Sequence, residues 1–260
     1  MKVKELKEKL IEGATEIWEN TSDNVIVGDE NAEIKKLAVC FNLTAKILDE
    51  VIAWGADTVL THEGVFGSRL CTELKKYDKI KKAKIEEHGI TVLRFHDHAH
   101  LREKDYIHEG FIKTLGLEIE KRHESKFFAR RNYTLKTQTT AEDFARLINQ
   151  KLGIKMGRLI GDRKTPVKTI CLALGWVDLF SGDELDDENC DLIISGEVGS
   201  ELYNQQYIRD SYYYGRKQCL LLLGHCRAEF AGMQYLTEEL CKQGFHAKYF
   251  HEDDLYDDIY

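Results

Sequence analysis

Short apolar runs alternate along this chain with longer amphipathic stretches, the pattern of an α/β protein. Residues 2–18 place Leu6, Leu10, Ile11 and Ile17 near helical spacing and predict a first helix. Asn20-Thr21-Ser22-Asp23-Asn24 is turn chemistry. Leu37–Phe41 reads as a buried strand. Asn42 or Thr44 then caps a helix over Ala45–Trp54, which Gly55 ends. Asp57–Thr61 is a second strand and delivers His62-Glu63-Gly64 at its carboxyl end. That spacing predicts parallel strands joined by a right-handed crossover.

The pattern then repeats. A lysine-rich helix over Cys71–His88, closed by Gly89, leads to the strand Ile90–Phe95 and straight into His96-Asp97-His98-Ala99-His100. A helix over Asp105–Leu115 stops at Gly116. In the middle third, Phe127–Leu135 has strand propensity, and Thr140 caps a helix over Ala141–Leu152 with Asp143 at its third position. Ile154–Ile160 and Val167–Leu174 read as strands on either side of Pro166, the only proline. In the last third, the strand Cys190–Ser195 ends in Gly196-Glu197, and a helix covers Gly199–Tyr214. The strand Gln218–Leu223 runs into Gly224-His225, the following helix carries Glu229, and Phe245–Phe250 forms a final strand. Residues 251–260 are acidic and expected to fray. The expected domains are residues 1–124 with 186–260 as the α/β domain carrying the site, and 125–185 as a second or inserted α/β unit.

With 260 residues, 43% hydrophobic and 32% charged, the chain has an ordinary globular composition. No apolar run approaches the roughly 20 residues of a membrane helix, and the charged start lacks a signal-peptide core. A cytoplasmic location is therefore expected. The net charge of −8, with no basic block, argues against nucleic acid as a partner and leaves a small-molecule substrate. Seven cysteines without a Cys-x-x-Cys pair exclude a zinc ribbon and a disulfide framework. Cys40, Cys171 and Cys219 read as buried thiols. There is no Walker loop and no dinucleotide-binding glycine fingerprint, so ATP hydrolysis and hydride transfer are unsupported. Ser195-Gly196 lacks the glycine that a nucleophile elbow needs. Cys226 reads as a small residue beside His225, and Tyr212-Tyr213-Tyr214 as interface or core at a helix end.

The candidate chemistry lies at the strand ends. His62-Glu63, the His96–His100 cluster, and His225 with Glu229 each follow a predicted strand, where ligands gather in open α/β sheets. His225 and Glu229 are four apart at a helix start and share one face. The carboxylates Glu63, Asp97 and Glu197 accompany them, whereas His88, His108, His123, His246 and His251 occupy helix, loop or terminal positions. Imidazoles beside carboxylates are metal-ligand chemistry. On an extended strand His96, His98 and His100 would share a face. If the chain turns after Phe95, Asp97 and His100 become the inward pair and His98 a bystander.

These residues resemble the dinuclear-metal hexameric family of type 2 GTP cyclohydrolase I and the yeast NGG-interacting factor. The resemblance begins at Ser22-Asp23-Asn24-Val25, runs through His62 and Arg94–His100, and ends at Gly224-His225-Cys226-Arg227-Ala228-Glu229. Two positions depart from the family pattern. Glu63 stands where the family has the second histidine of a pair, and His100 where it has a bridging carboxylate. The resemblance implies two interlinked α/β units with mixed sheets flanked by helices, assembled as a homo-hexameric ring. The implied activity is that of a metal-dependent hydrolase acting on a small, nucleotide-like substrate. Two divalent ions (zinc, iron, manganese, nickel or magnesium, not distinguished) would be held by His62, Glu63, His100, His225 and Glu229. Asp97 would bridge or orient, and His96 would support the ligands or accept a proton. The alternative is a non-catalytic metal-binding or regulatory ring assembly.

Overall fold

The structure, a computed structural model, describes residues 1–67, 73–124, 129–154, 157–178 and 190–252. Cys71, Phe127, Phe128 and the acidic end from residue 253 lie outside the described residues. In chain order the elements are α1 (Val3–Ile11), β1 (Val25–Val27), β2 (Leu37–Cys40), α2 (Ala45–Trp54), β3 (Thr58–Thr61), α3 (Lys76–Glu87), β4 (Thr91–Arg94) and the short α4 (Asp97–His100). There follow α5 (Tyr106–Leu115), β5 (Ile119–Arg122), β6 (Arg131–Thr140), α6 (Ala141–Leu152), β7 (Arg158–Ile160) and β8 (Pro166–Val177). The last are β9 (Leu192–Val198), α7 (Glu201–Tyr213), β10 (Cys219–Leu222), α8 (His225–Lys242) and β11 (Ala247–Tyr249). The fold is α/β, with two mixed sheets flanked by helices. No helix among the described residues is long and apolar enough to cross a membrane.

Two compact units divide the chain. Unit 1 is Met1–Ile107 with the segment from Gly232 on, and unit 2 is His108–Ala231. Unit 1 contains a five-stranded sheet of order β1-β4-β3-β2-β11. β11, β2, β3 and β4 run parallel, and β1 is antiparallel at the edge. Every residue of β2 and β3 is buried, as continuous apolar runs in a covered parallel sheet require. α2 packs Ile47, Leu48 and Val51 into this core, each worth about 1.5–3 kcal/mol of burial. Its ends follow the sequence reading. Thr44 Oγ1 accepts the Ile47 amide at 3.2 Å, and Gly55 closes the helix in the left-handed region at φ 77°.

Unit 2 contains a six-stranded sheet of order β5-β6-β8-β9-β10-β7. Among the described residues its parallel pairings are β8 with β9 and β9 with β10, and the other neighbours pair antiparallel. The strands Cys190–Ser195 and Gln218–Leu223, expected alongside the early strands, lie instead in this second sheet, β9 beside β8 and β10 beside β9. Their apolar runs are in register, with Ile194 opposite Leu172 on β8 and Leu221 opposite Ile194 on β9. Thr140 caps α6 as expected, its Oγ1 accepting the Asp143 amide at 3.1 Å.

Three local expectations change. The first helix stops at Ile11 rather than running to residue 18, because the chain turns there to bring the Trp18 amide to His98 Nε2 at 3.1 Å. Two edge strands are additional to those expected: β1, only three residues of Val-Ile-Val, and β5, whose Ile-Glu-Lys-Arg carries no apolar run. Finally, Tyr213 and Tyr214 are not core: they are 85% and 84% exposed.

Candidate metal centre

β3 and β4 are adjacent and parallel, so their carboxyl ends set His62-Glu63 beside His96. Past Phe95 the chain does turn, and residues 97–100 form one helical turn. What turns it is Asp23, a fully buried carboxylate that sequence reasoning left in a turn. One Asp23 oxygen accepts the amides of His96 and Asp97, the latter at 2.9 Å. The other accepts the His98 amide at 2.8 Å and His98 Nδ1 at 2.7 Å. A carboxylate facing several amide hydrogens at the start of a helical turn satisfies donors that have no partner inside the turn.

The turn brings His96 and His100 to His62. One ring nitrogen from each of the three lies within 4.8 Å of the other two. His62 and His96 stack with centroids 4.6 Å apart, and His100 stands edge-on to both, at 5.1 and 5.2 Å. Each ring is oriented through Nδ1 by an oxygen acceptor. His62 Nδ1 lies 3.0 Å from the Phe95 carbonyl, His96 Nδ1 2.8 Å from Asp97 Oδ1, and His100 Nδ1 2.8 Å from Asp105 Oδ2. A carbonyl or carboxylate can only accept, so Nδ1 carries the hydrogen and the neutral ring presents its lone pair at Nε2. This is how metal-ligating histidines are held, with the far nitrogen bonded to an oxygen. The donor set therefore fits a divalent metal of the kind that takes imidazole. His98 is different. Its Nδ1 serves Asp23 and its Nε2 accepts the Trp18 amide, so both nitrogens are engaged in scaffold contacts.

Glu63 sits beside this group. Its Oε1 is 3.5 Å from His96 Nε2, and its Oε2 accepts from Arg94 at 3.1 Å. Arg94 also donates to the His62 carbonyl at 3.0 Å, fixing two adjacent site residues at once. Asp97 stands behind His96, its second oxygen accepting the Thr21 hydroxyl at 2.8 Å and the Ser22 amide at 2.7 Å. Burial works to raise the Asp97 carboxyl, but the hydrogen bonds from His96, Ser22 and Thr21 outweigh it and hold it well below the usual carboxylate range. For His96, burial works to lower the ring, and the bonds to Asp97 and Glu63 outweigh it, so the ring is raised above its ordinary value.

Unit 2 holds the other predicted pair. His225 opens α8, and its Nε2 is 3.2 Å from Glu229 Oε2 one turn on, as the four-residue spacing requires. Glu229 is 1% exposed, and Glu197 Oε2 lies 3.7 Å from His225 Nδ1. Two glycines make room. A Cβ on Gly175 would lie 3.0 Å from Glu229 Oε1, and one on Gly196 would lie 2.7 Å from the His225 Cα. The ends of β8 and β9 can approach this pair only without side chains there. Cys226 is buried beside the pair, consistent with its reading as a small residue.

Sequence reasoning missed Asp23, Asp105 and Arg94. Asp105 could have been found: it follows His100 by five residues, just ahead of a helix, where a carboxylate caps. Its Oδ1 does accept the Ile107 amide, at 2.7 Å.

A search of curated proteins finds no match to this chain. Among solved structures it is similar to protein ybgI, of unknown function, at 17% identity and TM-score 0.77, over 98% of this chain and 99% of that one. It is also similar to a Bacillus cereus protein related to NIF3, at 12% identity and TM-score 0.73 over the full length of both chains. Reduced HcgD from Methanocaldococcus jannaschii matches at 18% identity and TM-score 0.72, over 96% of this chain and 97% of that one. At such identities these likenesses show the fold. The family model of Duf34/NIF3 (NGG1p interacting factor 3) matches residues 1–252. Spanning nearly its whole length, that match places the chain in the Duf34/NIF3 family.

Proposed function

We propose that this chain is a metal-dependent hydrolase of small, nucleotide-like substrates, in the manner of a type 2 GTP cyclohydrolase I. The observation that carries the reading is the convergence of His62, His96 and His100, one ring nitrogen of each within 4.8 Å of the others and each Nδ1 held by an oxygen. His62 and His100, with His96 and Glu63 beside them, would hold one divalent ion. His225 and Glu229 would serve a second on their own unit. Three imidazoles favour zinc, iron or nickel over magnesium, because imidazole suits those metals and magnesium prefers oxygen donors. Bound there, such an ion supplies Lewis-acid polarisation and lowers the pKa of water. The chain's own residues do the rest. Asp97 keeps the hydrogen on His96 Nδ1, Asp105 does the same for His100, and Arg94 steers Glu63.

The test pairs elemental analysis of protein purified without a metal-affinity tag with turnover of GTP and a phosphoester panel. Metal that disappears in His62→Ala/His100→Ala, with turnover that disappears on chelation, supports the reading. Equal metal in wild type and variant rejects the site. Metal without turnover of any substrate favours the second reading, a metal-binding or regulatory assembly. That reading draws support from the burial of His62 and His100, which suits retention of an ion as well as catalysis.

A further inference from the structure

Unit 2 carries a separate concavity, between the loop that follows β7 and the last turns of α7. It encloses about 550 Å³ and is lined by Asp162, Arg163, Lys164, Arg209, Tyr212 and Tyr213. Small-molecule sites run from roughly 300 to 1,000 Å³. The loop is fixed in place. Asp162 accepts the Tyr212 hydroxyl at 2.9 Å and the Lys164 amide at 2.8 Å, and its carbonyl accepts the Thr165 amide at 3.0 Å. Gly161, at φ 119°, lets the loop lie on β10, since a Cβ there would meet Cys219 Sγ at 2.5 Å.

The acidic groups at this pocket are already engaged. Asp162 has the bonds just given, and Glu142 pairs with Arg146 at 2.8 Å and faces Arg163 at 3.9 Å. Arg209 forms no ion pair among the described residues. It stands four residues before Tyr213, so guanidinium and ring share one helix face. Tyr213 is 85% exposed, with Tyr214 edge-on at 5.6 Å. A concavity with this cationic lining runs against a chain whose net charge is −8.

We propose that this pocket binds a small aromatic phosphate monoester, with the phosphate against Arg163, Lys164 and Arg209 and the flat ring on Tyr213. Guanidinium forks match phosphate oxygens two at a time, and a lysine ammonium adds a point charge. An exposed tyrosine gives the ring a π-face to stack on. The patch is too short to track a polymer backbone, so a single phosphate is its fitting partner. The pocket would act by binding alone.

Calorimetric titration of the full chain with adenosine 5′-monophosphate, adenosine and inorganic phosphate tests this. The monophosphate should saturate with a Kd of about 1 mM or tighter. Arg209→Ala with Lys164→Ala should weaken it at least about tenfold, and Tyr213→Ala should weaken it about fivefold while leaving inorganic phosphate unchanged. His100→Ala should leave all three titrations as they were. Absence of saturation, or monophosphate binding that survives Arg209→Ala/Lys164→Ala, overturns the proposal. Equal affinity for monophosphate and inorganic phosphate overturns the ring contact, and loss of binding in His100→Ala would move the binding to the metal centre.

Discussion

Asp105 holds His100 with one carboxylate oxygen, 2.8 Å from Nδ1, and with the other caps α5 at the Ile107 amide, 2.7 Å away. One residue thus orients a candidate ligand and starts a helix. The two roles separate by substitution. Asp105→Asn keeps an N-cap of equal quality but loses the carboxylate behind the imidazole. Metal affinity, measured by competition with a chromogenic chelator, should fall about 10–100-fold while the melting temperature hardly moves. Unchanged affinity would show that Asp105 serves the helix alone.

His98 and His100 lie on the same helical turn and should behave as opposites. His98→Ala removes one hydrogen bond from the fully buried Asp23 and takes the ring acceptor from the Trp18 amide, which should cost about 1–3 kcal/mol of stability. The folded fraction should still bind metal. His100→Ala should retain more stability and lose metal. Denaturant melts with elemental analysis of the same samples decide it, and metal loss in His98→Ala at full folding would return His98 to the ligand set.

Acid should unfold the protein partly through Asp97. A carboxyl depressed in the folded state contributes stability above its unfolded value of about 3.9, and that contribution is lost as pH falls through the folded value. Asp97→Asn should therefore flatten the stability curve below about pH 4 and lower its plateau at neutral pH. Parallel curves for wild type and variant would contradict this.

His96 titrates in the opposite sense. Its folded pKa is raised, so its own contribution is complete below about 6.5 and fades as pH rises through the folded value. A metal needs the neutral ring, so metal affinity should fall as pH drops through that same raised value. Glu63→Gln removes one of the groups that raise it, and the binding profile should move to lower pH. A profile that stays in place would exclude His96 from the binding equilibrium.

Gly175→Ala tests the pair on unit 2. The new methyl would sit 3.0 Å from Glu229 Oε1 and 3.4 Å from His225 Nε2, so the carboxylate must shift. Metal retained at His225 and Glu229 under mild chelation should drop about tenfold, with the far-UV spectrum unchanged. Retention equal to wild type would mean that the pair does not hold metal.

Much of this was readable in the sequence because it rests on local chemistry. Thr44 and Gly55, and Thr140 with Asp143, mark helix ends through hydrogen bonds within a few residues. Strands that end in histidine were visible because an apolar run followed by imidazole is a local pattern. Two kinds of feature were not readable. Asp23 reaches residues some 74 positions away, and nothing around it distinguishes a buried carboxylate from an ordinary turn aspartate. The assignment of β9 and β10 to the second sheet depends on which apolar run they pair with, and all the candidate runs look alike. β5, charged and at an edge, carries no hydrophobic signal at all.

Unit 1 is discontinuous in the chain, and its edge strand β11 comes after the residues of His108–Ala231 in sequence. During synthesis the residues of β2, β3 and β4 leave the ribosome first, yet the β2 edge has no partner until the segment from Gly232 on has been made. All the strands of unit 2, by contrast, fall within the single stretch His108–Ala231 and can pair as soon as it has emerged. The histidine-bearing sheet is therefore the last to be completed, and until then it presents an open parallel edge of the kind that invites pairing between nascent chains.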